Sequence, residues 1–169
     1  CYSMNGREDK YQWAGPYLYS RQMVVVKNES EIQTLSDLKG KRIAVQATTK
    51  AEDLFLHNIK SDLPQMQQVN CFSTTNEIYA ALRKSYVDAI AGHEAMLGSL
   101  VKEGKDAYRM LDESIYKSEL GVAFKKGTHE EVAADLTETL KKLQREGITE
   151  KIVTKYGLDA DEILPEGEQ

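Results

Sequence analysis

The sequence predicts an α/β fold built on a parallel sheet, and three observations support this prediction. Apolar strand-type segments alternate with amphipathic helix-type segments over residues 42–112, which is typical of parallel strands joined by right-handed crossovers. Residues 49–52 and 74–77 each begin with Thr and end with Glu, the spacing of a capping box at a helix start. Strand-type segments 23–27 and 119–125 bracket the alternating region, as hinge strands between two lobes would.

Each predicted element has a local signal. Residues 1–10 are polar with a Gly and are predicted as a loop or strand exit, and Gly15-Pro16 excludes a helix after them. Gly40, Pro64, Gly147 and Gly157 mark element ends. The predicted strands are 23–27, 42–46, 68–72, 86–91, 108–111 and 119–125. The predicted helices are a turn at 36–41, then 49–61, 75–85, a helix from 94, one capped by Thr128, and 149–156, followed by a loose acidic tail.

The stretch 42–49 is a candidate anion-binding turn. It runs from an apolar strand into Thr48 and Thr49 at a helix start, where unpaired N–H groups and the helix dipole favour an anion such as a carboxylate. An ordinary capped βα turn that binds nothing is the alternative interpretation. His93 and Glu94 follow another strand of the same sheet, and ligands of parallel sheets lie beyond the carboxyl ends of the strands.

Composition excludes several classes of function. The 169 residues carry a formal net charge of −5, and no basic cluster is backed by aromatic residues, which excludes nucleic acid as a partner. No apolar run approaches the roughly 20 residues of a membrane span. Cys1, Cys71 and the three His residues lack metal-ligand spacing, so we expect no metal and no cofactor. The sequence shows no signal-peptide pattern.

Five segments, taken in order, resemble the family-3 extracellular solute-binding proteins, the polar-amino-acid-binding components of ABC importers. Residues 3–7 followed by 13–17 resemble the family's Ser/Thr…Arg…Phe-Ser-x-Pro-Tyr pattern. Residues 37–46 (DLKGKRIAVQ) are similar to its DLKGKxVAVQ segment, and residues 80–90 to ALxxGxVDAI. Residues 121–127 (GVAFKKG) and the helices after them resemble the C-terminal return.

The resemblance implies a periplasmic-binding-protein-like fold of type II, with two hinged lobes and the first lobe incomplete in this chain. Residues 1–20 and 125–157 would be the remnant of lobe 1, residues 22–124 would form lobe 2, and residues 158–169 would be an acidic tail. The sheet edge left by the missing strands is expected to contact or exchange strands with another chain.

The resemblance also implies a set of ligand contacts. Arg7 corresponds to the clamp on the ligand carboxylate, for which a guanidinium is suited by its two parallel hydrogen bonds; an exposed Arg paired with Glu8 or Asp9 is the alternative. Ser3 corresponds to the hydroxyl residue before that Arg. Thr48 and Thr49 correspond to the Gly-Ser/Thr-Thr turn that meets the same carboxylate from the second lobe.

Two positions depart from the family pattern. Ala47 stands where the turn has Gly, which is costly only if this position needs a positive φ. His93 stands where the family places the Asp that pairs with the ligand ammonium, and a neutral imidazole cannot replace a carboxylate there. Either Glu94 takes this role from a shifted position, or the ligand is not a plain α-amino acid.

We therefore expect an extracytoplasmic, non-enzymatic binding module, periplasmic or at the cell surface and with lipid anchoring of the full-length form as an option. It would close on an amino acid or related carboxylate and deliver it to an ABC transporter permease. A ligand-sensing domain of a membrane receptor is one alternative. A dehydratase-type enzyme is another, with adjacent His93 and Glu94 as its sole acid–base candidates, although neighbouring helix residues point about 100° apart.

Overall fold

A computed structural model describes residues 2–57, 62–104 and 106–165 and divides the chain into two compact units. Unit 1 comprises residues 1–20 and 117–169, and unit 2 comprises residues 21–116. The second boundary therefore falls between 116 and 117 rather than at the predicted 124/125. The reason is that the strand spanning this boundary pairs its residues 120 and 121 with the strand at Tyr2–Ser3, which belongs to unit 1.

Seven strands and six helices are described. The strands are β1 (Tyr2–Ser3), β2 (Tyr11–Lys27), β3 (Arg42–Gln46), β4 (Gln68–Phe72), β5 (Ala89–His93), β6 (Tyr108–Met110) and β7 (Tyr116–Lys125). The helices are α1 (Lys50–Leu56), α2 (Thr75–Arg83), α3 (Glu94–Glu103), α4 (Glu130–Arg145), α5 (Ile148–Lys155) and α6 (Ala160–Ile163), with a 3-10 turn at Leu35–Leu38.

The sheet of unit 2 has the strand order β6–β2–β5–β3–β4. β3 pairs in parallel with β4 on one side and with β5 on the other, so the predicted parallel arrangement is confirmed for these three strands. β2 lies between β5 and β6 and is antiparallel to both. The parallel run predicted over residues 42–112 is thus interrupted by a strand that precedes it in sequence.

Several predicted bounds differ from the structure. Residues 11–20, for which no strand is predicted, form the N-terminal half of β2, because their closely spaced aromatic residues favour a strand over the Gly15-Pro16 signal. α1 ends at Leu56, and residues 58–61 of the predicted helix lie outside the described residues. The tail predicted to be loose contains α6, whose start is capped by the Asp159 carboxylate and whose Ile163 is buried.

Unit 2 is stabilised by an apolar cluster on each face of its sheet. Alternate residues of a strand point to opposite faces, so Ile43 and Val45 join one cluster and Ala44 the other. Leu54 of α1 packs into the first cluster, and Ile78 of α2 with other residues of α2 and α3 forms the second. Helices therefore cover both faces of the sheet. The loops lie at the ends of its strands.

Unit 1 has much less to bury. Its described buried hydrophobic residues are Ala14, Ala133, Val153 and Ile163. One face of α4 carries four apolar side chains that are not fully buried: Val132 is 51% exposed, and Leu136, Leu140 and Leu143 are only partly buried. This thin core agrees with an incomplete first lobe.

Candidate functional site

The carboxyl ends of β3, β4 and β5 lie at one edge of the unit 2 sheet. The register sets this arrangement, because Val45 of β3 is opposite Cys71 of β4 and Ala91 of β5. Each of these strands leads into a helix, α1, α2 or α3, within at most three residues. We call the loop ends at 46–49, 73–75 and 93–94 the carboxyl edge, the place where open α/β sheets bind ligands.

The loop after β3 is held by its own side chains. Thr48 has a φ of 61°, and its backbone N–H donates to Glu52 Oε2 at 2.7 Å. The Thr49 hydroxyl donates to the carbonyl of Gln46 at 2.6 Å and makes no capping bond to α1. The capping box predicted at 49–52 is therefore wrong in its bonds, since the left-handed turn at Thr48 gives Glu52 the N–H of residue 48 instead.

Ala47 stands where the family's turn has Gly, and this position does not need a positive φ. The positive φ of the turn falls at Thr48, and Ala47 is not among the residues with positive φ. Its N–H donates to the carbonyl of Phe72 at 2.9 Å, so alanine carries no backbone strain there. The strain falls on a β-branched residue in the left-handed region, a cost of about 1–2 kcal/mol that is typical of functional loops.

The loop after β4 has the predicted capping box. The N–H of Glu77 donates to Thr74 Oγ1 at 3.3 Å, and the N–H of Thr74 donates to Glu77 Oε2 at 2.9 Å. The Gln46 amide connects this loop to the previous one, donating to the carbonyl of Ser73 at 3.4 Å and accepting from the Thr75 hydroxyl at 3.5 Å. Sequence reasoning missed Gln46 and Thr75 as edge residues, although a polar residue at each strand-to-helix junction was the available signal.

His93 ends β5 and caps α3. Its Nδ1 accepts a hydrogen bond from the N–H of Ala95 at 3.2 Å, which requires an unprotonated Nδ1. The pKa of His93 lies below its ordinary value, because the protein around the imidazole desolvates the charged form and outweighs the opposing charge of Glu94. The side chain is exposed, so this edge presents a neutral imidazole at neutral pH.

Replacing His93 by Asn should remove a pH dependence of stability. Asn remains a good helix cap but does not titrate. The pKa of His93 is lower in the folded chain than the value of about 6.5 that it has in the unfolded chain. The unfolded chain therefore binds more protons as pH drops through that value, and the unfolding free energy falls. We expect the wild type to lose stability relative to His93→Asn between about pH 7 and pH 5, measured by thermal unfolding. His129→Asn in unit 1 is the matched control, and identical pH profiles for wild type and His93→Asn would contradict the assignment.

Glu94, the first residue of α3, forms a buried ion pair with Arg21 of β2. Arg21 Nε donates to Glu94 Oε2 at 2.9 Å and Nη2 to Oε1 at 2.5 Å. Only 7% of Arg21 and 8% of Glu94 is exposed. Two parallel charge-assisted hydrogen bonds of this kind are strong and directional, and the carboxylate also lies at the favourable, positive end of α3.

A double-mutant cycle should detect this pair as a large coupling energy. Glu94→Leu leaves the guanidinium buried without its carboxylate, which should cost about 3–5 kcal/mol, whereas Arg21→Met with Glu94→Leu should recover most of the loss. Hydrogen exchange of the β5 amides measures the unfolding free energy of unit 2. His57→Leu, at an exposed pair with Asp53 in the same unit, is the control and should change stability by less than about 1 kcal/mol. Additive effects of Arg21→Met and Glu94→Leu would rule the coupling out.

Unit 1 holds the other two predicted contacts. Arg7 is exposed in the turn between β1 and β2, and its carbonyl accepts hydrogen bonds from Lys10 N–H at 3.0 Å and from Trp13 Nε1 at 3.2 Å. Among the described residues its guanidinium has no ion pair with Glu8 or any other carboxylate. Ser3 is partly buried in β1 and donates to Asn5 Oδ1 at 3.4 Å.

Other polar groups have structural roles. Asp88 accepts from the backbone N–H and the guanidinium of Arg42 at 2.7–3.1 Å, and these hydrogen bonds keep the pKa of Asp88 below its ordinary value. Across the described ranges, no group of three His, Cys, Asp or Glu side chains is arranged to hold a metal ion. No described helix combines the length and apolarity that crossing a membrane requires.

Comparisons with known proteins agree with this architecture. The protein-family model described as "ABC transporter, phosphonate, periplasmic substrate-binding protein" matches residues 12–162. The L-cystine-binding protein TcyJ of Escherichia coli strain K12 is 29% identical over 152 residues, which cover 89% of this chain and 55% of that protein. The chain thus spans about half the length of the curated relatives it matches.

Solved structures show the same fold. The substrate-binding protein of an amino acid ABC transporter is 29% identical with a TM-score of 0.64, and the match covers 90% of this chain and 66% of that one. Substrate-binding domain 2 of GlnP from Lactococcus lactis has a TM-score of 0.71 at 23% identity, covering 92% and 66% of the two chains; it shows the fold alone. The predicted type II fold class is confirmed, and the partial coverage agrees with an incomplete lobe.

Proposed function

Because the chain belongs to the phosphonate-type periplasmic substrate-binding proteins of ABC transporters, we propose that it binds a small polar solute for delivery to a transporter. The solute is an amino acid or a related carboxylate. The observation that carries this proposal is the carboxyl edge, where three neighbouring strands end in hydroxyl, amide and imidazole groups. The similarity to an L-cystine-binding protein and to the binding protein of an amino acid transporter supports it.

The proposed ligand contacts are Arg7 and Ser3 in unit 1 and Thr48, Thr49 and His93 in unit 2. The resemblance also places Glu94 at the site, but both of its carboxylate oxygens accept hydrogen bonds from Arg21. Arg7 is suited to a carboxylate because its guanidinium is exposed while Trp13 and Lys10 hold its backbone carbonyl. The strained Thr48 supports a functional role for the first loop. The mechanism is ligand-stabilised closure, as the resemblance implies, with a transporter permease as recipient and an extracytoplasmic location for the protein.

The two alternatives receive less support. The relatives are binding proteins rather than enzymes, and the ion pair with Arg21 occupies the carboxylate that an acid–base mechanism would need. A receptor sensor domain can share the fold, but the family match is to transporter components. We therefore propose binding without catalysis.

The proposed ligand should stabilise the chain, and Arg7→Ala should weaken this effect. A compound present at 100 times its Kd raises the unfolding free energy by about 2.7 kcal/mol. Loss of a charge-assisted pair worth about 1.5–3 kcal/mol should weaken binding by roughly ten- to a hundred-fold. Thermal unfolding with L-cystine, L-glutamate, L-glutamine and glutarate provides the measurement.

Arg145→Ala, which removes another exposed arginine of unit 1, is the control and should leave the shift unchanged. No shift with any of the four compounds would contradict the proposed function. A shift that Arg7→Ala leaves intact would remove Arg7 from the site.

We also propose that further polypeptide, from another chain or exchanged between chains, covers unit 1. The exposed apolar side chains of α4, α5 and the α5 C-terminus support this: Val132, Ile148, Ile152 and Tyr156. Light scattering after gel filtration should show association, and Ile152→Ser should reduce it, since 53% of that side chain is exposed. Leu56→Ser, at an exposed position of unit 2, is the control. A monodisperse monomer whose unit 1 amides are well protected from exchange would contradict the proposal.

A further inference from the structure

We propose that Arg21 sets the ligand class by withholding Glu94, so that the carboxyl edge of unit 2 does not recognise an ammonium group. This inference rests on the proposed function and narrows it. A carboxylate that lacks an α-amine would then be as good a ligand for this chain as the corresponding amino acid.

Each loop of the carboxyl edge carries one glutamate near its helix start, and each glutamate is already used. Glu52 accepts from the N–H of Thr48 at 2.7 Å. Glu77 accepts from both the N–H and the hydroxyl of Thr74 at 2.9 Å. Both carboxylate oxygens of Glu94 accept hydrogen bonds from Arg21. Glu52 and Glu77 therefore hold their own loops in place, and Glu94 holds the start of α3 against β2.

Glu94 is the most important of the three glutamates, because it follows His93. The resemblance places the carboxylate that pairs with a ligand ammonium at position 93. Glu94 is 8% exposed, and Arg21 meets it with two hydrogen bonds. Turning its carboxylate to a ligand would break both of these hydrogen bonds to a guanidinium that is itself only 7% exposed. That cost is of the same order as the gain from a new ion pair, so the exchange offers no net benefit.

The exposed position at this point of the edge is His93, and it offers no negative charge. Its Nδ1 accepts from the N–H of Ala95, so the neutral ring carries its proton on Nε2, which is a donor and not an acceptor. A donor suits a carboxylate or another acceptor and not an ammonium group. Asp112 follows β6 on the far side of β2 and is exposed. Its carboxylate is not part of the carboxyl edge, so a separate variant must test whether it binds an ammonium group.

Matched pairs of compounds test this inference on the whole chain. L-glutamate is paired with glutarate, and L-cystine with 3,3′-dithiodipropionate, the same molecules without their amines. We expect affinities within each pair to agree to about threefold by calorimetry. His93→Asp should then shift the preference at least about tenfold towards the amine-bearing member, because a carboxylate replaces the imidazole at an exposed position. His129→Asp is the matched control and should leave the ratio unchanged.

The outcomes separate the two claims. A wild-type preference of more than about tenfold for the amine-bearing compounds would overturn the inference and leave the proposed function intact. Glu94→Gln and Asp112→Asn would then show which carboxylate recognises the amine. Failure of His93→Asp to change the ratio would also count against it. If none of the four compounds binds, the proposed function itself is wrong, and this inference falls with it.

Discussion

The bidentate ion pair between Arg21 and Glu94 determines what the carboxyl edge of unit 2 can offer to a ligand. It fixes the first residue of α3 to β2, at 2.5 and 2.9 Å and almost out of contact with solvent. A buried pair of this kind adds little stability over an apolar contact, but breaking it is costly. Its main consequence is therefore one of position, because it holds the start of α3 and leaves His93 as the exposed residue.

The loops beside it follow the same principle. Glu52 satisfies the N–H of Thr48 in a left-handed turn, and Glu77 satisfies the N–H of Thr74. Acidic side chains at helix starts stabilise the orphan N–H groups there. The carboxylates of this edge therefore stabilise its loops and the start of α3. The other polar groups of the edge are hydroxyl, amide and imidazole groups.

The sequence was sufficient for the α/β class, the parallel core of β3, β4 and β5, and the Thr74 capping box, because hydrophobic period and capping spacing are local signals. It could not give the position of Arg21 opposite Glu94, since that pairing depends on β2 lying next to β5 across a long sequence separation. The positive φ at Thr48 rather than Ala47 was also not predictable, because nothing in the residue types requires a β-branched residue to take it. The long β2 was missed because Gly15-Pro16 is a strong local turn signal that strand pairing overrode.

The central claim is that Glu94 serves Arg21 and not the ligand. A crystal structure of the chain with bound L-glutamate tests it most directly, because the amine and the carboxylates of this compound are distinguishable by their contacts. Our account predicts that both Arg21–Glu94 hydrogen bonds persist and that the ligand nitrogen makes no hydrogen bond to Glu94. A ligand ammonium within hydrogen-bonding distance of the Glu94 carboxylate, with Arg21 displaced from it, would contradict the account.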